Sequence, residues 1–397
     1  MKALALAVVG ALVLAGCTPD AEPPEEEVAP VQWVEKALPS PAGSPGRNVL
    51  RDVVECGDGW WVVGAVFLDE PTETRDTRPA AWFSTDLETW ASVPVDAGTY
   101  WGRRAILNSA ACSRDRIAIV GARSGGAHGY PRVTTFRLDD SASDVGTLVD
   151  VPATFVQYGG VSATNVGPIS GGPTGWLIVG NRTSGPGVWF TDDPREFTRV
   201  EAEPGLTDDG DLDSLAQAGG WAGDEWVVVG GGARTGRHLE QAPLAWTSPD
   251  GLTWTPEEMP DDDGAQDVHR VALLGDGGEE GDLLAVGLSD GRFASWLRDA
   301  EGWHDPVSFG DVADSWKGSP YVASLAQTPA GMLATVSTGQ RYEMWQTSDA
   351  REWRQVDVPL QPQTAGDHTL VAAGGRSLVV VGDAGDGGHV WVGEPEG

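Results

Sequence analysis

Residues 246–254 read W-T-S-P-D-G-L-T-W, two tryptophans eight positions apart with a serine, an aspartate, a glycine and a threonine between them. The frame returns as W-F-S-T-D-L-E-T-W at 82–90, W-F-T-D-D-P-R-E-F at 189–197 and W-Q-T-S-D-A-R-E-W at 345–353. Each copy places Ser or Thr two residues after an aromatic, Asp four after and a second aromatic eight after: Trp82, Ser84, Asp86, Trp90; Trp189, Thr191, Asp193, Phe197; Trp246, Ser248, Asp250, Trp254; Trp345, Thr347, Asp349, Trp353. One active site has no use for four copies, so the frame is read as architecture.

Upstream of each frame, or where the frame has decayed, runs a short apolar segment that in most copies ends in Gly: W-W-V-V-G (60–64), R-I-A-I-V-G (116–121), W-L-I-V-G (176–180), W-V-V-V-G (226–230), D-L-L-A-V-G (282–287) and S-L-V-V-V-G (377–382), with M-L-A-T-V-S (332–337) as a degenerate member. Short β-branched runs bounded by Gly, Asp and Pro are strand and turn signals, and no long helical periodicity appears after residue 17. Units of roughly fifty residues holding four strands each are the size of β-propeller blades. We count seven. The last unit has three strands, and Q-W-V-E-K-A-L-P at 32–39 matches the missing fourth in texture. The expected fold is therefore an all-β, seven-bladed propeller over 32–397, closed by an N-terminal strand in the last blade, which removes an exposed sheet edge.

The frame resembles the Asp-box, or BNR repeat, of sialidase-like and sortilin-like propellers, with the pattern Ser/Thr-x-Asp-x-Gly-x-Thr-Trp. Residues 248–254 approach it fully; the copies at 84 and 347 lack its Gly, and the copy at 191 also ends in Phe. The resemblance implies that the Asp side chain caps the turn between third and fourth strands through backbone amides, while the aromatic packs between sheets. It implies a fold far more than a function.

Residues 1–17, M-K-A-L-A-L-A-V-V-G-A-L-V-L-A-G-C, combine one Lys, a short apolar run and a small-residue exit, the composition of an export signal. Leu14-Ala15-Gly16-Cys17 resembles the lipobox of bacterial lipoproteins, which implies lipidation of Cys17 and attachment to the outer face of the cell membrane. Residues 18–31 are rich in Pro and Glu and read as a disordered tether. The formal charge of -33 argues against nucleic acid and anionic head groups as partners, leaving the lipid anchor as the expected membrane contact. Cys56 and Cys112 end the first strands of neighbouring units and are candidates for a disulfide, which an exported protein would keep oxidised.

Enzymatic signals are weak. The Phe/Tyr-Arg-Ile-Pro motif of sialidases is absent, P-R-V-T-T-F-R at 131–137 is no substitute, and Tyr is scarce. No phosphate loop, zinc spacing or calcium loop emerges, so no cofactor or metal is expected. Of 18 tryptophans, repeat positions absorb all but Trp101 and Trp316, which lie in connections between blades. In propellers these connections share a face with the loops between second and third strands, opposite the Asp turns. Arg103 and Arg104 follow Trp101, and Lys317 follows Trp316. By alignment Arg47, Arg104, Asp213, Arg270, Lys317 and His368 enter the inner strands on that face, while nearby loops add Arg123, His128, Tyr130, Arg234, Arg237 and His238. A basic, aromatic mouth on an acidic monomer suits an anionic or sugar-like ligand. The expected function is binding or assembly with a protein or carbohydrate ligand. A sialidase-like glycoside hydrolase would instead show an Arg triad facing a Tyr-Glu pair, and a bare scaffold no concave basic pocket.

Overall fold

The computed structural model describes residues 28–73, 75–125, 129–139, 146–208, 210–234, 241–261, 264–275, 281–313, 317–366 and 368–395. They form a seven-bladed β-propeller of antiparallel, four-stranded blades. The inner strands are Gly46–Cys56, Ile106–Ser113, Ala163–Gly172, Leu212–Trp221, Gln266–Leu274, Tyr321–Thr328 and Leu370–Ala373. Two blades carry an extra strand: Val95–Asp96 adds in parallel to the second, and Val307–Asp311 pairs within the fifth. Closure falls to Val31–Lys36, which pairs antiparallel with Gly387–Pro395 and supplies the fourth strand of blade 7.

The unbroken apolar runs follow from burial on both faces. In blade 4, Trp226 and Val228 pack on blade 3 among Leu177 and Val179, while Val227 and Val229 pack on blade 5 among Leu283, Ala285 and Trp296. A half-exposed strand alternates apolar with polar residues; a strand with a blade on either side has no polar face to present. Trp82, Trp176, Trp189, Trp226 and Trp296 are fully buried, and truncation of such a residue costs roughly 3–5 kcal/mol.

The Asp turns share one hydrogen-bond scheme. Asp250 Oδ1 accepts from the N–H groups of Leu252 and Thr253, each at 2.8 Å, and Ser248 Oγ accepts from Gly251 N at 2.8 Å. Asp86 receives Glu88 and Thr89 (2.9 and 2.7 Å), and Asp349 receives Arg351 and Glu352 (2.9 and 3.0 Å). The residue after each Asp is left-handed: Gly251 at φ 73°, Leu87 at 60° and Ala350 at 61°. Asp193 is the weak copy, receiving one backbone N–H at 3.3 Å and pairing with Arg195.

The recurrent Gly has a different cause. In blades 1 to 6 the inner strand shifts register by a bulge, between Leu50 and Asp52, Leu107 and Ser109, Val166 and Ile169, Ala216 and Ala218, Val268 and Arg270, and Val322 and Ser324. The bulge drives a carbonyl oxygen toward the second strand, where a Cβ at Gly64 would lie 1.9 Å from Val49 O, and one at Gly230 would lie 1.9 Å from Leu215 O. At these two positions a side chain would run into backbone, and glycine avoids it. In blade 6 Val336 stands at that register position.

The bulges also organise the channel, because side chains bond across blade junctions at their level. Asp52 Oδ2 accepts from Ala110 N (2.8 Å), Ser109 Oγ from Ile169 N (3.3 Å), Asn181 Oδ1 from Ala216 N (2.8 Å), His269 Nδ1 from Val322 N (3.0 Å) and Ser324 Oγ from Ala372 N (3.0 Å). Gln217 Nε2 donates to Asp267 Oδ2 (3.3 Å) and Thr369 Oγ1 to Leu50 O (3.4 Å) at the remaining two junctions. Asn181, which fits a glycosylation acceptor in sequence, is thus a buried inter-blade clasp.

Candidate functional site

Among the described residues, two places gather aromatic and charged side chains around a cavity. The first is on the face opposite the Asp turns, over blades 2 and 3. The connection at 97–105 is held by buried Asp150, whose carboxylate accepts from Gly98 N (2.7 Å), Thr99 N (2.9 Å) and Thr99 Oγ1 (2.5 Å). Gly102 is required here, since a Cβ would lie 2.2 Å from Asp150 Oδ2. The loop so fixed presents Tyr100 and Trp101 edge to face, centroids 4.9 Å apart. Arg104 lies 5.2 Å from the Tyr100 ring and 5.5 Å from that of Trp101. Arg132 bridges Trp101 (5.9 Å) to Phe155 (4.5 Å), which opens a helical turn, Phe155–Tyr158. Between them runs a groove of about 400 Å³. Of the nine large hydrophobic residues that stand exposed among the described residues, five belong to this region: Tyr100, Tyr130, Phe155, Val156 and Val161.

The second place is the central channel, a cavity of about 470 Å³ lined by the inner strands and containing Arg51, Asp52, Arg270 and Tyr321. Arg51 donates to Leu50 O (3.0 Å) and to Asp383 Oδ2 (3.3 Å), and Arg47 pairs with the same carboxylate at 2.7 Å. Burial pushes the Asp383 carboxyl up even so. Burial raises Asp52 to about 6 against the hydrogen bonds from Ala110 and Val53. Tyr321 Oη lies 3.0 Å from Tyr342 Oη, and burial pushes the Tyr342 phenol well above its ordinary value.

Among the sequence candidates that are described, Arg270 alone lines the channel. Arg104 is drawn outward to Tyr100 and Trp101 and lies 3.6 Å from Asp76, which also pairs with Arg123. His368 Nδ1 approaches Asp383 O at 3.1 Å beside Arg47; Asp213 and Lys317 are exposed. The six aligned residues therefore form no single ring: Arg104 lies in a turn ahead of its inner strand, Lys317 and His368 lie outside the strands, and Asp213 is exposed. Trp101 is half-buried, its ring over Gly125, so it has packing partners. Arg103 is exposed and donates to Gly98 O at 2.6 Å, and Tyr130 stands at the groove's margin opposite Gly125. Cys17, His128, Arg237, His238 and Trp316 lie outside the described residues.

Sequence reading missed Arg132, Phe155, Arg51, Asp52 and Tyr321. Phe155 carries the same signal as Trp101, an aromatic in an inter-blade connection, though Phe stands out from the repeat less than Trp does. Arg51 and Asp52 had no such signal, since a bulge cannot be placed from one strand's residues.

Cys56 and Cys112 are joined by a disulfide with Cα atoms 5.3 Å apart, linking the inner strands of blades 1 and 2. Among the described residues no helix is long and apolar enough to cross a membrane, and no three His, Cys, Asp or Glu side chains gather as a metal site would require.

No known protein family matches the sequence, and no curated protein does. Solved structures do. The β-propeller domain of the Trilobed protease from Pyrococcus furiosus is similar over 89% of this chain and 95% of its own, at 11% identity and a TM-score of 0.53. Pyrococcus horikoshii acylaminoacyl peptidase is similar over 88% of this chain at 12% identity and a TM-score of 0.50. Trypanosoma rangeli sialidase aligns over 88% at 12% identity with a TM-score of 0.43. The chain spans about half the length of the last two, 52% and 55%. At these identities the likeness defines the fold alone, a β-propeller.

Proposed function

We propose that the protein is an exported, lipid-anchored propeller that binds a protein or glycan partner on the face opposite its Asp turns. One observation carries this: exposed apolar side chains concentrate at the groove where Arg132 joins Trp101 to Phe155. Soluble proteins seldom leave such a patch uncovered without a use for it, and aromatic rings with guanidinium groups are the usual anchors of binding sites. The reading of the turns as Asp-box repeats is supported by their shared hydrogen bonds and left-handed residue, and that of Cys17 as the lipidated residue by Leu14-Ala15-Gly16-Cys17.

A sialidase-like reaction is less well supported. The channel holds two arginines, Arg51 and Arg270, and among the described residues no Glu lines it; Tyr321 has Tyr342 as its hydroxyl partner.

Combined replacement of Trp101 and Phe155 by Ala, followed by glycan-array binding and crosslinking in the intact cell envelope, tests the proposal. Loss of the partner's signal with a nearly unchanged melting temperature is expected. Full retention of that signal would remove the groove from consideration.

A further inference from the structure

We propose that the central channel binds a small zwitterion of the α-amino acid or short-peptide type, with its carboxylate on Arg270 and its ammonium on Asp52. This site is separate from the groove over blades 2 and 3 and does not depend on what binds there.

A guanidinium has five N–H groups. In Arg270, Nε and Nη2 donate to Ala323 O (3.2 and 2.9 Å), and Nη1 donates to His269 O (2.6 Å). Two N–H groups remain, one on each terminal nitrogen, and among the described residues neither has a protein acceptor. That pair is the fork which receives a carboxylate through two parallel bonds. Three bonds to fixed carbonyl oxygens hold the fork in place, so little side-chain entropy would be lost on binding.

Asp52 presents the opposite charge. Its oxygens accept Val53 N (2.9 Å), Ala110 N (2.8 Å) and the Ser109 hydroxyl. A carboxylate has about four acceptor sites, so about one stays open to an ammonium. No Lys, Arg or His among the described residues lies within ion-pair distance of Asp52, although it and Arg270 attract one another across the channel. The remaining channel cation is already matched, since Arg51 reaches Asp383.

What stays unpaired is one cation and one anion on opposite walls of a cavity of about 470 Å³, within the roughly 300–1,000 Å³ usual for small-ligand sites. Blades 1 and 5, which carry them, face each other across a ring of seven. A simple anion would satisfy Arg270 while facing the Asp52 carboxylate, and a simple cation would meet the reverse problem. A ligand with both charges and no net charge satisfies both walls, and its charge complementarity selects against either half alone. Ser324 lines the space between and, accepting from Ala372 N, keeps a hydroxyl hydrogen for an amide or side chain.

Titration calorimetry on the full chain decides the matter, with glycylglycine as the zwitterion and acetate and ethylammonium as its halves. Glycylglycine should bind, and each half should bind at least about tenfold more weakly. Asp52→Asn, whose amide oxygen can still accept from Ala110, should lose about tenfold for glycylglycine while leaving acetate unchanged or improved. Arg270→Gln should abolish binding of both. Should that variant fail to fold, Arg270→Lys keeps the charge without the fork and should weaken glycylglycine by about tenfold. No heat with millimolar glycylglycine would overturn the proposal, as would acetate binding as tightly as glycylglycine or an Asp52→Asn protein of undiminished affinity.

Discussion

Asp52 of blade 1 accepts a hydrogen bond from the backbone N–H of Ala110 of blade 2, 2.8 Å away, at the level where both inner strands bulge. The same device, with a different side chain, recurs around the channel through Ser109, Asn181, His269 and Ser324. The inner strand of each blade is a sheet edge, and a buried N–H there without an acceptor is costly, so the preceding blade supplies one. For His269 this fixes the tautomer: Nδ1 accepts from Val322, so the proton sits on Nε2, 3.2 Å from Asp267 Oδ2.

Asp52 should make stability depend on pH. Burial raises its carboxyl from 3.8 to about 6, so between those values the folded protein holds a proton that the unfolded chain has released. Its contribution favours folding fully below about 4 and is lost as pH rises through 6. Asp52→Asn removes the titration but keeps an acceptor for Ala110. The stability of wild type relative to this variant should therefore fall by on the order of 2 kcal/mol between pH 4 and pH 7. Urea unfolding of both proteins across that range measures it, and a constant difference would refute the shift.

The same junction carries the Cys56–Cys112 disulfide, which spans 56 positions of sequence. For a loop of this size chain entropy predicts about 4 kcal/mol of stabilisation, less whatever the native geometry gives back. Replacing both by Ser, or unfolding under reducing conditions, should lower the denaturation midpoint accordingly. Thiol labelling of denatured, unreduced protein should find neither cysteine free.

The blades were legible because their signals are local and repeated. Trp226 through Gly230 states a strand buried on both faces and its end, and Asp250 with Gly251 states the turn. The site was legible where a side chain stood outside the repeat, as Trp101 does, and at Arg270, which alignment of the repeats brings to the channel. Arg132 hides at the start of a repeat strand, and Arg51 and Asp52 acquire their roles from bulges and from blades far apart in sequence. Distance across a ring leaves no trace in spacing along the chain.

Gly230 tests the bulge as the reason for the recurrent glycine. A methyl group there would meet Leu215 O at 1.9 Å and the Ala216 backbone at 3.0 Å, neither of which can swing aside. Gly230→Ala should cost several kcal/mol, in the range of overpacked core substitutions, which is typically about 1–3 and occasionally more. Gly291→Ala, in open space but at φ 78°, should cost only about 1 kcal/mol, the strain of a left-handed non-glycine residue. Equal losses at the two positions would count against the bulge as the cause.

The N-terminal strand should hold three blades together, not one. Within blade 7 it pairs from Val31 to Lys36 with the last strand, leaving no free edge. Toward blade 6, Ala29 exchanges backbone hydrogen bonds with Gln355 (2.9 Å) and Asp357 (3.0 Å), and Trp33 Nε1 donates to Asp357 O at 3.3 Å. Toward blade 1, Lys36 pairs with Glu88 at 2.7 Å and Pro39 O accepts from Trp82 Nε1 at 2.8 Å. Trp33 is only half-buried, so Trp33→Ala should cost about 2 kcal/mol, below the roughly 3–5 of a fully buried ring. Deleting residues through 40 should do more, because it strips the edge of Gly387–Pro395 and leaves the Trp82 indole N–H without its acceptor. The expected result is a clear fall in melting temperature together with association in sedimentation velocity, since an uncovered strand edge pairs with another copy. A truncated protein that stays monomeric and melts with the intact chain would show that the ring closes without this strand.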